Sequence, residues 1–386
     1  MNVHKQYRLN ERITGMVCLK CGKKYPVGDY FYGCPACLER GENASMTFEY
    51  SGYAHIDDSR KGFRRYAQLL PYDNTTSLGE GNTPVIELKA LASKLGVRGL
   101  YGKNEFQNPT GSHKDRMNPF IVARAVEMGF DTVTCASSGN EAASLAAYAA
   151  AEGIRCVNVS TASIPELWKR ASDACGAELV LTPTSGDRLK YQREQMGVHR
   201  WYPATNLLDV PTSSSPFGIQ GYKTIAYELF ESFGSDLPDY ILVPTCRGDL
   251  LYGVFEGFSD LVNSGYIDKL PRLVACEPNP RLELILEHGR KHTDRFEGDT
   301  SATSSIGGAT ATWQSVYALR KSGGFAVSVP QKEAIESVGR MARYGLYLET
   351  SSSIVLPCLE KLLKKSVICY DSRVLFILTS NGYKNG

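Results

Sequence analysis

Between Asp131 and Pro183 the chain alternates β-prone runs with helical runs, and no other feature restricts the possible folds as much. Thr132–Ala136, Cys156–Val159 and Glu178–Leu181 read as short strands, and the runs from Glu141 to Ala151 and from Pro165 to Cys175 as the helices between them. A strand followed by a helical crossover feeds the next strand in the same direction, so a parallel sheet with helices on its faces is expected. Apolar runs at Tyr240–Pro244, Leu273–Glu277 and Val374–Leu378, with helical runs over 251–262, 331–344 and 352–364, continue the same architecture. A chain of 386 residues exceeds one ordinary core, which points to two α/β domains.

Two of the strand-to-helix turns have the make-up of an anion loop. Ser137-Ser138-Gly139-Asn140 follows the first strand, and Thr245-Cys246-Arg247-Gly248-Asp249 follows Tyr240–Pro244. At each helix start, unpaired backbone N–H groups and the helix dipole favour negative charge. A third loop, from Asn108 to Arg116, holds a single lysine, Lys114, among the turn formers Pro109 and Gly111, with a helix expected from Asn118 to Met128. Near the positive end of a helix dipole the ammonium form is disfavoured, and a free amine can form a Schiff base with an aldehyde. Taken alone, the loop also suits a lysine that is merely solvated.

The lysine loop Asn-Pro-Thr-Gly-Ser-His-Lys-Asp-Arg, the Ser-Ser-Gly-Asn turn and the Ala-Ser-Leu-Ala-Ala-Tyr-Ala-Ala run together resemble the fold-type II pyridoxal-phosphate enzymes, and among them the threonine synthases. The resemblance extends from Gly79-Glu-Gly-Asn-Thr-Pro to Lys384. It implies a two-domain α/β fold with parallel-rich sheets flanked by helices, in which 56–130 and 205–386 form the large cofactor-binding domain and 131–204 a smaller mobile one. It implies that Lys114 carries pyridoxal 5'-phosphate covalently and that Asn140 bonds the cofactor's phenolic oxygen. Ser137, Ser138, Gly139 and Asn140 would hold the substrate carboxylate, Thr245, Cys246, Arg247, Gly248 and Asp249 the cofactor phosphate, and Thr379 would face the pyridine nitrogen.

The implied activity is elimination or replacement on an amino acid, most closely the conversion of O-phosphohomoserine to threonine and phosphate. Two departures from the family pattern bear on this. Gly248 is the single glycine of a loop that is usually glycine-rich, so Arg247 could bind phosphate by its guanidinium instead. In the segment 215–224, Gly218 stands where an arginine for the substrate phosphate is expected, leaving Lys223 or Lys169 to replace it. By that alignment Gly218→Arg would restore the contact. The alternatives are a threonine or serine dehydratase, a cysteate synthase-like β-replacement enzyme, or a catalytically silent binding protein.

Ahead of this body, Cys18-x-x-Cys21 and Cys34-x-x-Cys37 are separated by twelve residues. Two such knuckles supply four thiolates for tetrahedral zinc, with Gly22 and Gly33 where tight turns are needed. Four protein ligands leave no open position for chemistry, so residues 1–55 read as a structural, zinc-ribbon-like segment. Eleven cysteines, an odd number, suit reduced thiols and a cytoplasmic setting. A net charge of +2 gives no reason to expect nucleic acid or an anionic membrane, and no apolar run nears the roughly 20 residues that span a bilayer. Met1–Arg12 is polar and has no signal core. The expected partners are a small amino acid, phosphorylated or not, and a second copy of the chain in a homodimer.

Overall fold

The apolar runs of the C-terminal half pair into a six-stranded sheet in the computed structural model, which describes residues 7–384. The order is Phe325–Ser328, Arg272–Glu277, Tyr240–Pro244, Arg373–Ile377, Gly99–Lys103 and Val85–Glu87. Every neighbouring pair is parallel except the last, where Val85–Glu87 runs against Gly99–Lys103. Tyr240–Pro244 and Arg373–Ile377 are buried from their second residue onward, on both faces. That is why they read as continuous apolar runs and not as alternating ones. Leu242, Val274 and Phe376 from these strands share a core with Val355, Leu359 and Leu362 of the helix Val355–Lys364.

The alternating segment forms a second sheet, in the order Glu178–Thr182, Arg155–Thr161, Thr132–Ala136 and Tyr202–Pro203, with all pairs parallel. The helix Asn140–Glu152 packs on Thr132–Ala136 and Arg155–Thr161 through buried Ala142, Ala146 and Ala149, whose small side chains permit close approach. The cysteine-bearing segment is an antiparallel three-stranded sheet of Lys24–Tyr25, Ile13–Cys18 and Met46–Tyr50. The α/β class, the parallel-rich sheets and the cysteine cluster agree with the expected fold.

The helix expected over 352–364 is two pieces, Thr350–Ser353 and Val355–Lys364. The strand Phe325–Ser328 and the helices Leu282–His288 and Trp313–Lys321 had no clear periodic signal. Met1–Gln6, half of the polar start of the chain, lies outside the described residues. Among the described residues no helix is long and apolar enough to cross a membrane.

The chain divides into two compact units. One takes the chain up to Gly81 together with Lys114–Thr224, and the other takes Asn82–His113 and the chain from Ile225 on. The first holds the four- and three-stranded sheets, the second the six-stranded sheet. The domain division expected from the sequence has its breaks before 56, 131 and 205.

Candidate active site

In the second unit, three neighbouring strands release loops at their carboxyl ends, where α/β proteins place ligands. Gly99–Lys103 leads into the loop that ends at His113, Arg373–Ile377 leads to Thr379, and Tyr240–Pro244 leads to Thr245–Gly248. The lysine loop stands on buried polar groups that sequence reasoning missed. Lys103 Nζ bonds Glu228 and the Thr83 carbonyl at 2.6 Å each, and Asn108 Nδ2 donates to Glu105 Oε2 at 3.0 Å.

The loop Thr245–Gly248 precedes a fifteen-residue helix, Asp249–Asn263. Its carbonyls are turned into the protein. The Thr245 carbonyl accepts from Arg281, and the Arg247 carbonyl accepts from Thr312, from Gln314 at 3.2 Å and from Ser315 at 3.2 Å. Across a trans peptide the N–H points opposite to the C=O, so the N–H groups of Cys246 and Gly248 face the other way. Gly248 lies in the left-handed region at φ 78°, and a Cβ there would fall within 2.8 Å of Ser315 Cβ. Backbone donors with carbonyls withdrawn, at the start of a long helix, fit a phosphate.

The side chains of this loop are occupied elsewhere. The Thr245 hydroxyl donates to the Val243 carbonyl at 2.7 Å, the Cys246 thiol donates to the Gly307 carbonyl at 2.7 Å, and Asp249 accepts from Gln314. Arg247 is half-buried, and its guanidinium has no partner among the described residues. Gly248→Ala is expected to cost roughly 1–3 kcal/mol of stability, from left-handed strain and the close approach to Ser315. Urea unfolding checks this, and a midpoint equal to wild type would contradict it.

Thr379 is buried, and its hydroxyl shares a hydrogen bond with Ser352 Oγ at 2.5 Å. Its carbonyl accepts from the His113 N–H at 3.1 Å, with His113 Nδ1 at 3.4 Å. His113 therefore ties the part of the loop that lies in this unit, 108–113, to the strand that delivers Thr379. Ser352 was not singled out in the sequence, where it was the first residue of the helix expected over 352–364.

In the first unit, Lys114 opens a tight turn whose carbonyl accepts from Met117 N at 3.0 Å. Its side chain is 22% exposed, with Nζ 3.6 Å from Glu141 Oε2 and 6.0 Å from the centre of the Tyr222 ring. Ser144 Oγ bonds Asp115 at 2.6 Å, which fixes the turn to the helix Asn140–Glu152. The unit thus brings Lys114 together with the start of the helix that carries Asn140. Glu141 was missed as a site residue because, in sequence, it is an ordinary first-turn glutamate. Ser137 Oγ accepts from Gly139 N at 3.3 Å, while Ser138 Oγ turns to Ser160 at 2.6 Å and Arg188 at 3.1 Å.

The segment 215–224 corrects one expectation. Gly218 is buried in the short helix Pro216–Ile219, and a Cβ there would lie 2.6 Å from Met117 Cγ and 2.7 Å from Ile121 Cγ1. An arginine has no room, so Gly218→Arg cannot restore a phosphate contact. Lys223 is fully buried with Nζ 4.4 Å from the centre of the Tyr50 ring. Lys169 lies in a half-exposed i,i+3 pair with Glu166.

The sulfurs of Cys18, Cys21, Cys34 and Cys37 all lie within 4.8 Å of one another, with 3.7 Å between Cys18 and Cys37 and between Cys21 and Cys34. A tetrahedron with Zn–S bonds of about 2.3 Å has edges of roughly 3.8 Å, so the four fit that ion. The Lys23 N–H bond holds the Cys21 thiol down to about 6, which favours the thiolate. Gly33 has φ 83°, and a Cβ there would meet Thr212 Cγ2 at 2.7 Å.

The chain is a parallel α/β protein, with a lysine at a turn before a helix in the first unit and, in the second, a long helix that opens on a loop of backbone donors. Residues 76–380 match the family described as pyridoxal-phosphate dependent enzyme, and the chain belongs to that family. It is 31% identical over 383 residues to a threonine synthase of Methanocaldococcus jannaschii, covering 95% of this chain and 92% of that protein. It is 32% identical to a threonine synthase of a Bacillus species, covering 83% and 89%. In fold it is similar to maize serine racemase, with a TM-score of 0.68 at 20% identity over 86% of this chain and 94% of that one.

Proposed function

We propose that this pyridoxal-phosphate-dependent lyase converts O-phosphohomoserine and water to threonine and phosphate. The observation that carries the reading is Lys114, half-buried in its turn beside Glu141, in a chain aligned over nearly its whole length with threonine synthases. The cofactor, when bound, supplies the electron sink. Lys114 Nζ takes the α-proton, and Glu141 stabilises the ammonium so formed. Ser137, Ser138, Gly139 and Asn140 hold the substrate carboxylate at the start of a thirteen-residue helix. The backbone N–H groups of Cys246 and Gly248, with Thr245, Arg247 and Asp249 completing the loop, hold the cofactor phosphate. Thr379, paired with Ser352, offers a hydroxyl to the pyridine nitrogen. A hydroxyl does not stabilise a charged pyridinium as a carboxylate does, which suits elimination and replacement over transamination.

The same proposal assigns a structural zinc to Cys18, Cys21, Cys34 and Cys37, a mobile role to 131–204, and a homodimeric, cytoplasmic enzyme. A second reading, a serine or threonine dehydratase-like enzyme, draws on two observations. A buried carboxylate, Glu141, stands beside Lys114, and Gly218 leaves no room for an arginine. Both favour an uncharged leaving group over a phosphate. Incubation with O-phosphohomoserine, phosphoserine, serine and threonine decides between them. Threonine with equal phosphate release is expected. Release of 2-oxo acid from serine or threonine, with none of phosphate from O-phosphohomoserine, overturns the first reading for the second.

A further inference from the structure

We infer that Arg281, which belongs to none of the loops assigned above, is the positioning residue that aims the phosphate-binding N–H groups of the Thr245–Gly248 loop. The inference rests on the assignment of that loop to the cofactor phosphate. Arg281 stands at the head of the helix Leu282–His288 and is 0% exposed. Nη2 donates to the Thr245 carbonyl at 3.0 Å and to the Ile306 carbonyl at 3.4 Å, and Nη1 donates to the Gly308 carbonyl at 3.2 Å. One rigid guanidinium therefore clamps the phosphate loop to the neighbouring segment 306–308. The Cys246 thiol, bonded to the Gly307 carbonyl at 2.7 Å, closes the same seam.

The peptide plane carries the effect to the site. Fixing the Thr245 carbonyl on Arg281 fixes the Cys246 N–H in the opposite direction. Thr312, Gln314 and Ser315 fix the Gly248 N–H through the Arg247 carbonyl in the same way. Arg281 acts at the loop's entrance and this trio at its exit. The charge of Arg281 is met by Glu277, whose Oε2 lies 3.4 Å from Nε and whose Oε1 accepts from Glu283 N at 3.0 Å. Burial pushes the Glu277 carboxyl up to about 7, with Arg281 pulling it down. A lysine at 281 would keep the charge near Glu277 but could not span three carbonyls.

The test compares two ligands that differ only in the phosphate. The wild-type protein and Arg281→Lys, resolved of cofactor, are titrated with pyridoxal phosphate and with pyridoxal, and binding is followed by visible absorption. Arg281→Lys is expected to lose roughly 10- to 100-fold in affinity for pyridoxal phosphate, the size of one lost charge-assisted hydrogen bond, and to bind pyridoxal as before. Equal losses for both ligands mark a general structural role and overturn the inference, as does a phosphate preference unchanged from wild type. If Arg281→Lys does not fold, the pair replacement Glu277→Gln with Arg281→Met removes the buried charge imbalance and is titrated in its place. A wild-type protein that itself shows no preference for the phosphate overturns the loop assignment, whereas a preference kept in the variant overturns the role of Arg281 alone.

Discussion

Lys114→Ala is expected to lose the visible absorption of the cofactor-loaded protein and to lower turnover by roughly 10²–10⁴-fold, the contribution of a positioned general base. The variant removes two things at once. It takes away the amine proposed to anchor the cofactor and move the α-proton, and it leaves Glu141, only 6% exposed, without the cation 3.6 Å away. Some loss of stability should therefore accompany the loss of activity. Lys114→Arg separates the two, since it keeps a cation near Glu141 without offering a nucleophilic amine. It should recover stability and not the visible band. An unchanged band in Lys114→Ala would remove Lys114 from its role.

Removing metal from the cysteine cluster should have the second large effect. Structural zinc contributes about 10–16 kcal/mol in isolated zinc-binding peptides, comparable to the roughly 5–15 kcal/mol that stabilises a whole domain. The sequence suggests that chelation loosens the N-terminal segment before the catalytic body. The structure extends the effect within its unit. Asp29 takes both Arg124 Nε and Nη2 at 3.0 Å, Ser45 Oγ bonds the Thr212 carbonyl at 2.6 Å, and Tyr50 bonds Gln220 at 3.0 Å. Phe48 also meets the Phe217 ring edge-on at 4.9 Å. Chelation, or Cys34→Ser, should therefore raise amide exchange in 210–223 along with the ribbon, and metal analysis of the untreated protein should find about one zinc per chain. Exchange in 210–223 that stays at its original level while the ribbon melts would show that these contacts carry little.

The turns that carry the proposed chemistry were legible because they depend on local order along the chain. Lys114 in its turn, Ser137–Asn140 before a helix and Thr245–Asp249 after a buried strand are each defined by a few consecutive residues. The cysteine knuckles are likewise local: Cys18 with Cys21 and Cys34 with Cys37 come from tight turns, and the fold had only to bring two pairs together. The parallel sheets were legible for a related reason, since strands buried on both faces leave unbroken apolar runs.

Other features depend on residues far apart in sequence, and only the tertiary structure decided them. Glu141 became a site residue because one turn places Lys114 against a helix start 27 positions on, and Ser352 because it meets Thr379 across the same distance. Gly218 looked like a missing arginine until the packing of Met117 and Ile121 showed that the place is closed. Arg247 was the visible cation of the Thr245–Gly248 loop, yet the guanidinium that bonds a carbonyl of that loop is that of Arg281, a buried arginine that sequence pattern ranks as ordinary. The physical reason is common to all of these. Local sequence determines which backbone groups are offered at a turn or a helix end. Which side chain satisfies or aims them is a matter of distance in space, set when strands separated by tens to hundreds of residues fall into register.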